Sequence, residues 1–119
     1  MKRVLVIEDD KRIAKSLEIR LRSMGYETVL AYDAVMGIKS AVQNNPDLVI
    51  MDIAMPGGNG LAVAETMQEL TATQSTPVIF ITASKKISHR EKALELGAAG
   101  FFEKPYETER LLGKVSQLV

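Results

Sequence analysis

The chain has no cysteine and no tryptophan, and only three tyrosines and three phenylalanines among 119 residues. Without thiols it can form no disulfide, no thiolate zinc site and no cysteine nucleophile. That usage suits a reducing compartment. An excess charge of either sign is also missing. Fifteen Lys and Arg balance fifteen Asp and Glu, so the basic surplus that grips nucleic acid without reading sequence is absent. No apolar run approaches the roughly 18 residues of a membrane-spanning helix. The start, Met1-Lys2-Arg3, leads into only four apolar residues, Val4-Leu5-Val6-Ile7, and then Glu8-Asp9-Asp10. That is too short an apolar stretch for a secretory signal. These absences predict a soluble cytoplasmic domain that contacts neither membrane nor nucleic acid.

What is present is ordinary for a folded domain: 46% hydrophobic and 25% charged residues, enough to exclude intrinsic disorder. The length suits one domain, residues 1–119, with a core of its own. Val4–Ile7, Leu48–Met51 and Val78–Ile81 are continuous apolar runs of four bounded by polar or turn residues. Strands buried on both faces of a parallel sheet read this way. Thr28–Tyr32 and Gly100–Phe102 are weaker strand candidates. Between them lie helical stripes: Ile13, Leu17, Leu21 and Met24, stopped by Gly25; Val35, Ile38 and Val42 behind a capping Asp33; Leu61, Ala64 and Met67; Lys86 to Leu96, closed by Gly97; and Leu111, Leu112, Val115 and Leu118. The order is β-α repeated five times, which predicts a five-stranded doubly wound parallel α/β domain. The pattern alone does not choose between the two common strand orders.

In such a sheet the chemistry lies beyond the carboxyl ends of the strands. The first run ends in Glu8-Asp9-Asp10, the third in Asp52 and the fourth in Thr82, and the fifth leads to Lys104. Carboxylates gathered at one edge repel one another unless a cation compensates. Oxygen ligands with no nearby His or Cys favour a hard cation, above all Mg²⁺. Carboxylates, Mg²⁺, an ammonium and a hydroxyl together suit a phosphoryl group, and an aspartate can itself be the nucleophile.

Ile7-Glu8-Asp9-Asp10, Asp52-Ile53-Ala54-Met55-Pro56-Gly57-Gly58-Asn59-Gly60, Thr82-Ala83 and Lys104-Pro105-Tyr106, in that order, resemble the receiver domain of two-component response regulators. The resemblance covers essentially the whole chain and implies a CheY-like sheet of order 2-1-3-4-5. It also implies that Asp52 accepts a phosphoryl group from the phosphohistidine of a sensor histidine kinase or phosphotransfer protein. Mg²⁺ would sit on Glu8, Asp9, Asp52 and the backbone carbonyl of Ala54. Asp9 matches the direct ligand and Glu8 acts mainly through water. On that register Asp10 starts the first helix; the alternative register pairs Asp9 with Asp10. Thr82 matches the switch hydroxyl, Lys104 the phosphate-contacting lysine and Phe101 the switch aromatic, and the Lys104-Pro105 bond is expected to be cis. Ala54 and Ser84 fall at positions that tune water access; both are small, so no sterically shielded phosphate is expected. His89, the only histidine, reads as a surface residue.

The domain implied is no enzyme beyond catalysing its own phosphorylation and dephosphorylation. It would switch the surface of the fourth helix, fifth strand and fifth helix to control an output domain or effector protein. Some receivers form a homodimer there through paired acids before the fifth strand; Ala99, Gly100 and Arg110 depart from that pattern. Two other readings stay in view. A phosphohydrolase of the haloacid dehalogenase type needs a second acid two residues after the nucleophile, where this chain has Ala54. A pseudo-receiver, acting as a phosphorylation-independent protein-binding module, has no need of Asp9, Asp52, Thr82 and Lys104 together.

Overall fold

The computed structural model describes residues 1–119. The run Val4–Ile7 makes up most of β1 (Arg3–Ile7), and all four residues are fully buried. In β3 (Leu48–Asp52) every residue is buried, and in β6 (Val78–Thr82) all but the first. Strands like these need helices on both faces. The edge strands β2 (Glu27–Ala31) and β7 (Gly100–Glu103) are only partly covered. All pairings in the sheet are parallel and the order is β2-β1-β3-β6-β7. Counting only these five strands, that is 2-1-3-4-5, the doubly wound order expected. One small element was not foreseen: an antiparallel pair, β4 (Ala54–Met55) and β5 (Gly58–Asn59), follows β3 directly.

Four helices fill the crossovers, α1 (Lys11–Ser23), α2 (Ala34–Asn44), α3 (Gly60–Glu69) and α4 (Ile87–Glu95), and a fifth, α5 (Thr108–Leu118), follows the last strand. Successive strand residues point to opposite faces, which splits the core in two. Leu5, Ile7, Met51 and Phe80 pack with Ala34, Ala41, Leu61, Met67 and Ala93 under α2, α3 and α4. Val4, Val6, Ile50, Ile79 and Ile81 pack with Leu17, Leu21, Leu111, Leu112 and Val115 under α1 and α5. Each fully buried large side chain stabilises the fold by roughly 1.5–3 kcal/mol.

The stripe expected on α2 is displaced. Val35 and Val42 are exposed, and the inward face is Ala34, Gly37, Ser40 and Ala41, with Ile38 half-buried. The reason is distance: a Cβ on Gly37 would lie 2.7 Å from Ile7 Cδ1. A helix this close to β1 needs small residues inward, so its larger apolar residues turn outward.

Two other glycines predict opposite outcomes. A Cβ on Gly60 would fall 2.1 Å from the backbone carbonyl oxygen of Asp52, a rigid atom. Gly60→Ala must therefore push α3 away from the strand end that carries Asp52, and should lower stability by about 1–3 kcal/mol. Gly113, inside α5, has open space where a Cβ would go. Gly113→Ala should raise stability by about 0.5–1 kcal/mol. Urea unfolding of the two variants beside the parent chain checks both signs.

Candidate functional site

Because the strands are parallel, their carboxyl ends share one edge. Ile7 pairs with Met51, so Glu8 and Asp52 emerge side by side at the point where strand order reverses. Asp52 pairs with Ile81, and Thr82 with Glu103, which brings Thr82 and Lys104 to the same edge. The Lys104 amide donates to the Thr82 carbonyl at 2.7 Å, and the Lys104-Pro105 peptide is cis.

The Lys104 ammonium bridges two buried carboxylates, with Nζ 2.5 Å from Glu8 Oε1 and 2.7 Å from Asp52 Oδ2. The remaining oxygens also have donors. The Asp10 amide donates to Glu8 Oε2 at 3.1 Å, and the Ala54 amide to Asp52 Oδ1 at 3.2 Å. Asp9 is exposed at the mouth, and one oxygen each from Glu8, Asp9 and Asp52 lie within 4.8 Å of one another. Three carboxylates at this spacing, without His or Cys, form a donor set for a hard divalent cation. Asp10 is differently employed: its Oδ1 accepts from Arg12 N at 2.9 Å and Ile13 N at 3.3 Å, capping α1. Thr82 is fully buried at the rim and Phe101 is half-buried on β7. Ala54 and Ala83 are exposed beside the pocket.

Burial dominates the Glu8 carboxyl and pushes it up to about 7 from 4.5; hydrogen bonds from Lys104 and the Asp10 amide oppose this, and the Asp52 charge adds to it. Burial also pulls on Lys104, lowering it, but hydrogen bonds to Asp52 and Glu8 outweigh that and hold its ammonium above the ordinary 10.5. The sign of the Glu8 effect follows. Between 4.5 and 7 the folded state keeps a proton that the unfolded chain has released, so stability falls as pH rises through that window and levels off above it. Metal-free protein should lose stability from about pH 5 to about pH 7.5, and Glu8→Gln should flatten the slope. Urea midpoints across that range measure it.

One pair escaped the sequence reading. Ser84 Oγ and His89 Nδ1 are 2.7 Å apart and both residues are half-buried. His89 is thus more than a surface residue. Its spacing of five from Ser84 crosses a loop into a helix, and no periodic pattern marks such a contact.

A doubly wound sheet carrying an acidic, lysine-bridged pocket at its switch point defines a class of α/β domains with their site at the carboxyl edge of the strands. Within that class, residues 4–116 match the family model described as "Response regulator receiver domain", and the chain belongs to that family. It is 36% identical over 113 residues to the transcriptional regulatory protein DltR of Streptococcus agalactiae, covering 95% of this chain and 50% of that protein. To the response regulator ArlR of Staphylococcus saprophyticus it is 30% identical over 119 residues, covering 100% of this chain and 53% of that one. The chain therefore spans about half the length of these curated relatives. Among solved structures, the non-phosphorylated HemR receiver domain of Leptospira biflexa superposes with a TM-score of 0.90 at 30% identity, covering 99% of this chain and 94% of that one. The response regulator TrrA of Thermotoga maritima, solved in complex with Mg(2+)-BeF, gives 0.87 at 31% identity over 100% of both chains.

Proposed function

We propose that this domain is a phosphorylation-controlled switch in which Asp52 takes a phosphoryl group from the phosphohistidine of a sensor histidine kinase or phosphotransfer protein. The observation that carries the reading is the Asp52 carboxylate held between Lys104 Nζ and the Ala54 amide, inside the three-carboxylate cluster. One Asp52 oxygen bonds to phosphorus as the phosphorus–nitrogen bond breaks, leaving an acyl phosphate on the domain and a histidine on the donor. The carboxylates of Glu8, Asp9 and Asp52 and the carbonyl of Ala54 suit Mg²⁺, which when bound neutralises phosphoryl oxygens. Lys104 already touches Asp52, so its ammonium is in place to meet the transferred group's negative charge. Thr82 supplies a hydroxyl from the neighbouring strand end. The likeness to TrrA, solved with Mg(2+)-BeF, supports the same chemistry here.

The domain's own catalysis is confined to gaining and losing this group. Hydrolysis by water resets it, and the small, exposed Ala54 leaves water a path. Attachment biases two arrangements of the domain by the phosphoryl group's differential affinity for them. The α4–β7–α5 surface reports the state to an output domain or effector, as the names of ArlR and DltR suggest for longer chains. Incubation with acetyl phosphate and Mg²⁺, read on a Phos-tag gel, should give one retarded band that hydroxylamine removes. No band, or steady turnover of phosphate esters, overturns the reading.

A further inference from the structure

A hydrogen-bonded chain leads out of the pocket and takes no part in the chemistry above. The Ser84 amide donates to Thr82 Oγ1 at 3.0 Å. Ser84 Oγ accepts from the Lys86 amide at 3.3 Å and meets His89 Nδ1 at 2.7 Å. Ser84 stands in the connection between β6 and α4, and His89 stands in the first turn of α4. Lys86, at the N-cap of α4, provides no side-chain cap. The Ser84–His89 pair fastens the connection to the helix.

Thr82 shows what the fastening holds. Its side chain is fully buried, and its only hydrogen bond is the one from Ser84. The Lys104 ammonium spends its contacts on Glu8 and Asp52 and makes none to Thr82. Any shift of the Thr82 side chain toward an oxygen carried on Asp52 also bears on the Ser84 amide, which its hydroxyl holds at 3.0 Å. The two-residue loop between Thr82 Oγ1 and the Ser84 amide then moves with it, and Ser84 is tied to α4. The next residue along α4, Arg90, lies 5.3 Å from the centre of the Phe101 ring. The tie and the side chain that lies against the aromatic of β7 therefore share one turn of α4.

We infer that His89 is a positioning residue: through Ser84 it holds the β6–α4 connection, and with it the Thr82 hydroxyl, in the resting arrangement, and this tie opposes the move toward a phosphoryl group. The inference rests on the reading of Asp52 as phosphoacceptor. A tie made in only one of two states shifts the balance by its own net strength, which for a side-chain hydrogen bond corresponds to about three- to tenfold.

The test is calorimetric titration of fluoroberyllate, a phosphoryl mimic, in excess Mg²⁺. His89→Ala and Ser84→Ala should each bind about three- to tenfold tighter than the parent chain, and the double variant no tighter than Ser84→Ala alone, which already removes the bond to His89. His89→Asn, whose amide puts a polar atom near the place of Nδ1, should return affinity toward the parent value. Unchanged affinity in both single variants, or additive gains in the double, overturns the inference. Should the parent bind no fluoroberyllate, the phosphoacceptor reading fails instead. Amide exchange at Ser84 and Lys86 in the unliganded protein then decides: faster in His89→Ala supports the tie, and unchanged rates refute it.

Discussion

Asp52→Asn should show no retarded band after acetyl phosphate and Mg²⁺, at any incubation time. The amide keeps the shape of the side chain but lacks the anionic oxygen that attacks phosphorus. No neighbour can take over. Both oxygens of Glu8 are engaged, one by Lys104 and one by the Asp10 amide. Asp10 is spent on the α1 cap. Asp9 is exposed and stands off the strand end. The variant should also be at least as stable as the parent chain. Asp52 raises the carboxyl of Glu8 by repulsion, and without that charge Lys104 and Glu8 remain as a balanced pair. Lost phosphorylation with an undiminished unfolding midpoint would assign the loss to chemistry. A persisting band in Asp52→Asn places the phosphoacceptor elsewhere.

Removal of the cation should act in the opposite sense. Lys104→Ala leaves Glu8 and Asp52, both buried, facing one another with no positive charge between them. Breaking a buried ion pair by deleting one partner typically costs about 3–5 kcal/mol. The Lys104 side chain is 17% exposed, so a cost at or just below the bottom of that range, about 2–3 kcal/mol, is expected near neutral pH. Part of the loss should vanish in acid, where Glu8 takes up a proton, and part on adding Mg²⁺, which binds only the native cluster. Urea unfolding with and without Mg²⁺, at about pH 6 and about pH 8, measures both effects. Phosphorylation by acetyl phosphate should fall at least tenfold, even where Mg²⁺ restores the fold, because the ammonium beside Asp52 is gone. A variant as stable as the parent chain in metal-free buffer would show that the two acids do not burden each other.

The buried strands were the most legible part of the molecule. Val4–Ile7, Leu48–Met51 and Val78–Ile81 are unbroken apolar runs because both their faces are covered. Reading the one or two residues that follow each run was enough to bring Glu8, Asp9, Asp52, Thr82 and Lys104 to one edge. The helices were legible where large apolar residues face inward, as Leu17 and Leu21 do on α1. On α2 the same rule failed, since close approach to β1 selects glycine and alanine and sends Val35 and Val42 outward. The β4–β5 pair is too short to leave a periodic trace. In the sequence Gly60 is only the last residue of the motif that follows Asp52; the closeness of the Asp52 carbonyl is a fact of three-dimensional packing. The contact of Ser84 with His89 was illegible for the same reason.

The Lys104 amide reaches the Thr82 carbonyl only when β7 lies against β6. A nascent chain carries Asp52 out of the ribosome long before residue 104 has been made. Until the last strand docks, that aspartate has neither its ammonium nor its closed pocket. Under the proposed function, an unfinished or truncated copy accepts no phosphoryl group, and a signal can be written only on a molecule whose two halves have already met.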